Sequence, residues 1–178
     1  MITMSINDTE FKRLVSALTN VRDNFIKEPP IMIEESSLEF KLKLIQSIVY
    51  QDFPGSYAPL SESYATWKHI VGGESGFWNL WGSLVGSIQI SSYDKGRIVE
   101  INPSAIAYKN SSYTLNQLKP VWEYAFYGEF GRDAFSKGRV KVKAQPPRPL
   151  FVPLREEFAD SRMPEIRVST LKKIIKDW

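Results

Sequence analysis

The stretch LVGSIQISSYDKGRIVEI, residues 84–101, decides the fold class that this sequence predicts. Alternate positions from Leu84 to Ile90 are apolar or glycine, which is the period-two pattern of a half-buried strand. The triplet at 94–96, Asp-Lys-Gly, is typical of a turn, and residues 98–101 supply a second apolar run. Residues 84–101 therefore predict an antiparallel β-hairpin.

Amphipathic helices are predicted on both sides of this hairpin. Their apolar residues recur at steps of three and four, as on the buried face of a helix. Pro29 and Pro30 are expected to end the first helix, because proline has no amide donor and the residue before a proline avoids the helical conformation. Pro120 and Gly131 suit the start and the end of a later helix, and Ser169 suits the cap of the last one. The predicted helices cover residues 7–28, 37–52, 61 to the Gly72–Gly73 break, 120–131, a turn around 158, and 169–178.

A further strand pattern occurs at residues 138–144, GRVKVKA. Apolar residues alternate here with Arg139, Lys141 and Lys143, so one face of the predicted strand is basic. This basic face has three interpretations: it attracts the phosphates of passing DNA, it contacts an acidic protein, or it is an ordinary solvated surface. The sequence leaves all three open.

These elements together predict the α+β fold class. We expect an antiparallel β-sheet, formed by the hairpin and further strands, packed with several amphipathic helices and preceded by an N-terminal helical segment. The sequence is divided into an N-terminal helical segment at 1–53, an α+β domain at 54–160 and a C-terminal helix at 161–178. Because 178 residues match the usual size of one domain, these parts are expected to form one compact domain.

The composition excludes several classes of functional site. The chain has no cysteine, which excludes disulfides, zinc–thiolate sites and a cysteine nucleophile, and its single histidine, His69, falls short of the ligands of a usual transition-metal centre. The sequence contains neither a phosphate-binding loop nor a nucleophile elbow, and no pattern pairs Glu129 with a second acid or base. We therefore predict no catalytic residue, no cofactor and no metal, and we expect that the chain is not an enzyme.

The charge of the chain is unevenly distributed. The formal net charge is +3, but residues 1–131 carry 11 basic and 14 acidic side chains, whereas residues 132–178 carry 12 basic and 6 acidic ones. The basic excess belongs to the C-terminal part, where a polyanion or an acidic protein would be attracted. Together with interleaved aromatic residues, this excess supports one hypothesis of function, a small basic nucleic-acid-binding module.

The sequence predicts no contact with a membrane. No stretch approaches the roughly 18 consecutive apolar residues that a membrane span needs. The start, MITMSINDTEF, lacks the basic segment followed by an apolar segment that marks a secretory signal. We expect the chain to be made in the cytoplasm and to stay there unless a larger assembly exports it.

Two groups of side chains allow more than one interpretation. Glu129 is either a structural ion-pair partner of Arg148 or Arg132, holding a helix end against the proline-rich segment, or a solvent-exposed carboxylate. The aromatic group from Phe77 to Trp81 belongs either to the core or to an interface, where aromatic residues are enriched. Within that group Trp81 is the best candidate for an interface residue.

Four local patterns occur in order between residues 57 and 158. They are YAPLS at 57–61, LWGSLVGSI at 80–88, YA followed by EFG at 124–131, and PRPLF at 147–151. In this order they resemble the motifs of the tail-completion and tail-component proteins of long-tailed bacteriophages, a family also described as virion morphogenesis or head–tail joining proteins. Trp81 stands where that family usually has threonine. The positions that carry the resemblance are Pro59, Leu60, Ser61, Trp81, Gly82, Leu84, Ser87, Ile88, Tyr124, Glu129, Gly131, Arg148 and Pro149.

The resemblance implies a structural role in a virion. It implies a tail-completion or neck subunit at the head–tail junction, assembled in the host cytoplasm into a ring of six or twelve copies. The expected partners are further copies of the chain in the ring and other phage neck, connector and tail proteins, with passing DNA as a further candidate. A closed ring of identical copies would use a heterologous, head-to-tail interface.

Overall fold

In the computed structural model of the chain, the described residues are 8–50, 52, 62, 65–66, 69, 83–94, 96–106, 120–131, 133–137, 140–142, 144 and 146–176. For 135–137 and 140–142 the description covers the backbone. These residues form an α+β fold, which confirms the predicted fold class, although the sheet content is small. The elements are α1 (Asp8–Tyr50), α2 (Ser83–Ser87), β1 (Ile88–Tyr93), β2 (Gly96–Ile101), α3 (Val121–Phe130), β3 (Phe135–Lys137), β4 (Val140–Val142), α4 (Phe151–Glu157), a π-helical turn (Phe158–Arg162) and α5 (Met163–Ile174).

The predicted hairpin is present as β1 and β2. The two strands pair antiparallel, from Ile88 opposite Ile101 to Tyr93 opposite Gly96. Asp94, in the turn, has φ 46°, a left-handed conformation that aspartate tolerates better than most residues. The second strand pair, β3 with β4, forms a separate two-stranded sheet. In the described part of the chain the further strands therefore do not extend the hairpin.

The predicted start of the first strand is wrong, because residues 84–87 form the helix α2. Leu84 and Ser87 are both buried, and their spacing of three places them on one helix face. Ile88, the first residue of β1, is buried as well. The Ser87 hydroxyl donates a hydrogen bond of 2.7 Å to the Leu84 carbonyl, which supports the helical turn. Apolar residues four positions apart satisfy both the strand period and the helix period, so the pattern alone does not separate the two.

The predicted break at Pro29 and Pro30 is also wrong, because both prolines lie inside the continuous helix α1. An interior proline costs a helix about 3 kcal/mol, although its fixed φ is itself compatible with helix. Residues 31–33 after the prolines are half-buried, and Leu44 and Ile48 are buried. We attribute the continuity of α1 to this packing, which offsets the cost of the prolines.

The ends of the later helices differ in how well the sequence predicts them. Pro120 precedes α3 and Gly131 follows it, as expected, and the Gly131 amide donates to the Tyr127 carbonyl at 3.0 Å. The last helix starts at Met163 and not at Ser169, because it continues from α4 through the π-helical turn and needs no cap at Ser169. The helix predicted from 61 to the Gly72–Gly73 break lies largely outside the described residues.

The chain divides into two compact units: Met1–Ser36 together with Ala159–Trp178, and Ser37–Phe158. In the first unit, the Asn24 side-chain amide donates to the Ile174 carbonyl at 3.3 Å, and Thr170 and Ile174 are buried. The second unit contains the main core, into which α1, α2, β1, α3 and α4 all contribute. Its members are Leu44, Ile48, Leu84, Ile88, Val121, Ala125, Leu150 and Leu154.

Candidate functional site

A buried carboxylate, Glu129, joins the end of α3 to the start of α4. Its side chain is 6% exposed. One carboxylate oxygen accepts the backbone amides of Leu150 at 2.7 Å and Phe151 at 3.0 Å, and the other accepts the amide of Val152 at 2.9 Å. Hydrogen bonds to an ionised acceptor are roughly twice as strong as neutral ones. Glu129 therefore fixes the first turn of α4 from outside that helix.

The local sequence explains why α4 needs this external acceptor. The first amides of a helix have no partner within the helix, and a polar N-cap side chain usually accepts one of them. Here the N-cap position is Leu150, whose side chain has no acceptor. Pro153 has no amide, and the Leu154 amide already donates to the Leu150 carbonyl at 3.1 Å. Glu129 thus accepts the three amides that precede Pro153.

A second contact holds the proline-rich segment beside α3. The Arg148 amide donates to the Gly128 carbonyl at 2.7 Å. Gly128 is buried and Arg148 is half-buried, whereas the prolines at 146, 147 and 149 are exposed. Four of the five residues from 148 to 152 therefore donate a backbone hydrogen bond, and the fifth, Pro149, has no amide and is exposed.

Three of the four sequence patterns meet around this site. Leu84 and Ile88 from the second pattern, Ala125 from the third and Leu150 from the fourth belong to one core cluster. Ser87 is buried as well, and its carbonyl accepts the Asn102 amide at 2.8 Å. Residues separated by up to 66 positions are therefore brought together in the Ser37–Phe158 unit.

The remaining sequence-predicted site residues are distributed as follows. Tyr124 is about half exposed, Gly131 ends α3, Pro149 is exposed and His69 is exposed. Lys141 lies in β4, where the backbone alone is described. The predictions for Pro59, Leu60, Ser61, Trp81, Gly82, Arg139 and Lys143 lie outside the described residues, as do those for Phe77, Trp78 and Arg132.

Sequence reasoning missed an exposed aromatic face on α3. Trp122, Phe126 and Phe130 are 46%, 52% and 62% exposed, and the rings of Phe126 and Phe130 lie 5.0 Å apart. Their spacing of four places them on one side of α3, beside the buried face that carries Ala125 and Glu129. The spacing was readable in the sequence, but which of the two faces is buried depends on the tertiary fold. Contiguous exposed apolar surface of this kind marks interaction sites.

A small hollow lies near the start of α4, with a volume of about 240 Å³. It is smaller than the roughly 300 to 1,000 Å³ of usual ligand pockets. Its lining is mainly apolar, with Glu100 and Arg155 as the charged members. Hydrogen bonds from Ser91 and Gln89 hold the pKa of the Glu100 carboxyl below its ordinary value of 4.5. The hollow suits one inserted apolar side chain better than a small-molecule substrate.

No group of three or more potential metal ligands occurs among the residues that the structure describes. The helices in that same part of the chain are too short or too polar to cross a membrane. The chain matches no protein-family model, no curated protein and no solved structure.

Proposed function

We propose that the chain is a structural subunit of a tailed-phage virion, a ring-forming tail-completion or neck protein at the head–tail junction. The observation that carries the proposal is the link from Glu129 to Leu150, Phe151 and Val152. It joins the third pattern of the resemblance to the fourth, across residues that are distant in sequence. The two patterns therefore contribute to one core and one hydrogen-bond set, as expected of a motif that forms one structural unit.

The chemistry of this link suits a structural part. A carboxylate that accepts three backbone amides is occupied by the fold, and its geometry leaves little room for a substrate. The exposed prolines at 146, 147 and 149 restrict the backbone to an extended shape, so little entropy is lost when a neighbour packs against them. The proline-rich segment therefore offers a preformed surface to a neighbour, and Glu129 fixes the backbone that follows it.

The aromatic face of α3 supplies a surface for a neighbouring copy in the proposed ring. Trp122, Phe126 and Phe130 belong to the same unit as the proline-rich segment. Aromatic side chains dominate the energetics of protein interfaces when they become buried at the centre. In a head-to-tail ring, the aromatic face of each copy would be covered by another surface of the neighbouring copy.

The experiment that tests this proposal is depletion of the protein from the phage that encodes it, with rescue by the wild-type gene. We expect unjoined heads and tails by electron microscopy, and antibody label at the head–tail junction of rescued particles. Normal numbers of joined particles after depletion would overturn the proposal. A tail sheath protein depleted in parallel serves as the control, because it changes the tail without removing the neck.

The DNA-binding hypothesis has weaker support in the described residues. Three basic side chains of the C-terminal part lie within 4 Å of a carboxylate: Arg155 near Glu156, Arg162 near Glu165 and Lys173 near Glu35, at 3.8, 2.6 and 3.9 Å. These pairs reduce the local positive potential that phosphate attraction needs. Titration of DNA at two salt concentrations separates the hypotheses, since strong binding at low salt that falls steeply with salt would favour the nucleic-acid module.

A further inference from the structure

The first part of α1 is a helix without a described covering. Residues 8–25 are termed the N-terminal arm. Every position from 8 to 20 is exposed except Ala17, which is half-buried. α5 reaches the end of the arm, where the Asn24 side chain donates to the Ile174 carbonyl, and Lys173 of α5 lies 3.9 Å from Glu35 beyond the arm. The arm continues without a break into the rest of the 43-residue helix α1. Because most helical stability in proteins comes from the packing of an apolar face, the arm gains stability if it packs against another surface.

Five apolar residues of the arm, four of them exposed, have the spacing of a coiled-coil seam. Their steps along the chain are three, four, three and four, which corresponds to the a and d positions of two heptads. The aromatic and leucine members are each about half exposed, and the valine is half-buried. The seam consists of Phe11, Leu14, Leu18, Val21 and Phe25.

We infer that the N-terminal arm pairs with the same segment of a second copy of this chain, as an antiparallel two-helix coiled coil. In an antiparallel coil each a residue packs against a d residue of the other helix. A two-fold axis that crosses the coil at the level of Ser16 then places Leu14 opposite Leu18 of the second copy. The same axis places Phe11 opposite Val21. Every apolar layer of the seam between Phe11 and Val21 is filled.

The flanking side chains favour this orientation. In this arrangement Asp8 of each copy faces Arg22 of the other, which gives two ion pairs. Val15 faces Val15 of the second copy, and Ala17 faces Ala17 of the second copy. A parallel coil would instead set Glu10 beside Val15 and Ala17 beside Arg22, which provides no ion pair. Asp8 now contacts Lys12 and Arg22 contacts Asp23, both at 2.8 Å on the surface. Such exposed pairs contribute about 0 to 1 kcal/mol and exchange readily.

The size of the seam corresponds to a weak contact between two copies. The arm is about 27 Å long at 1.5 Å per residue. Burying a large aromatic side chain covers about 150 to 250 Å², so each half-exposed seam residue contributes on the order of 100 Å². The four paired seam residues, Phe11 to Val21, would together bury about 800 Å² on the two copies, the size of a weak interface. We therefore expect a dimer whose formation depends on protein concentration, and it does not depend on the proposed virion role.

Site-directed crosslinking of the full chain tests the inference, because the chain contains no cysteine of its own. Ala17→Cys places two thiols face to face across the two-fold axis, so mild oxidation should give a covalent dimer. Phe11→Cys is the matched control: its two thiols would meet in a parallel coil but lie about 15 Å apart along an antiparallel one. We expect efficient crosslinking of the first variant and little of the second. Crosslinking of Phe11→Cys alone, or of neither variant, would overturn the inference.

A second measurement uses the concentration dependence of the mass in solution. Leu14→Glu with Leu18→Glu should raise the dissociation constant of the dimer by about 100-fold or more, because the coil would bury unpaired charges. Ser16→Glu, on the outer side of the arm, should leave it unchanged, and circular dichroism should show the same helix content in all three proteins. An assembly that forms equally well with both leucines replaced would refute the coil while leaving the proposed ring intact. Absence of the protein from virions would refute the ring while leaving the coil intact.

Discussion

The Glu129 carboxylate lies 2.7 Å from the backbone amide of Leu150, a residue 21 positions further along the chain. This contact replaces the side-chain cap that Leu150 cannot provide for α4. The end of one helix therefore determines where the next helix begins. The described sheets have two strands each, so links of this kind between helices help to fix the positions of α3 and α4.

Replacing Glu129 by alanine should lower the free energy of unfolding by about 3 to 5 kcal/mol, because each buried amide left without an acceptor costs about 1 to 3 kcal/mol and water can reach only part of the gap. Glu129→Gln should cost less, since it retains one acceptor oxygen. Glu156→Ala is the control, as its exposed contact with Arg155 at 3.8 Å contributes little. Urea denaturation measures all three. A loss below 1 kcal/mol for Glu129→Ala would contradict the capping role.

Local turn chemistry explains which elements could be predicted from the sequence. The hairpin is predictable because Asp94 and Gly96 specify a turn within a few residues of the strands they join. The ends of α3 are predictable for the same reason, since Pro120 and Gly131 act on the adjacent backbone. In these cases the deciding interactions lie close together along the chain.

Tertiary packing explains what could not be predicted. The continuity of α1 across Pro29 and Pro30 depends on burial of residues beyond them, which local propensity does not include. The ion-pair hypothesis for Glu129 anticipated a contact with the proline-rich segment but not its backbone partners. Those partners become available only when Phe151 starts a helix without a polar cap. The start of that helix is itself set by the fold.

Leu84→Ala should lower the free energy of unfolding by about 2 to 4 kcal/mol, because it leaves a cavity in a core that several elements share. Leu42, which is half exposed on α1, provides the matched control, and its replacement by alanine should cost less than about 1 kcal/mol. Thermal or urea denaturation gives both values. Equal losses at the two positions would mean that α2 does not pack into the core as described.

The Glu100 carboxyl should titrate below its ordinary value of 4.5, because the ionised form accepts hydrogen bonds from Ser91 and Gln89. A pKa that is lower in the folded chain stabilises the fold above the unfolded value, and this contribution is lost as the pH falls below about 4.5. Nuclear magnetic resonance of the labelled carboxyl carbon measures the pKa directly. Ser91→Ala should raise it toward 4.5, and an unchanged pKa in that variant would exclude the hydroxyl as the main cause.

Gly131→Ala and Gly86→Ala should change stability in opposite directions. Gly131 has φ 76° and ψ −178°, a conformation that residues with a side chain adopt at a cost of about 1 to 3 kcal/mol. Gly86 lies in the helix α2, and an added methyl group would meet no atom within 4 Å apart from the adjacent residues and the helix backbone, so alanine should stabilise the chain by about 0.5 to 1 kcal/mol. The two melting temperatures, measured under the same conditions, should bracket that of the wild type. An unchanged melting temperature for Gly131→Ala would show that the backbone can relax at the end of α3.

Phe126→Glu should abolish incorporation into particles without unfolding the protein, if the aromatic face of α3 contacts a neighbour in the proposed virion. Phe126 is 52% exposed, so a charged side chain is tolerated in the free chain but would be buried without a partner in the assembly. Tyr93→Glu, at the exposed tip of the hairpin, introduces the same charge on another surface and should assemble normally. Rescue of a depleted phage by each variant, scored as joined particles, gives the comparison. Equal rescue by Phe126→Glu and the wild type would place the interface elsewhere. A carboxylate buried without a partner at a close-packed contact would weaken assembly.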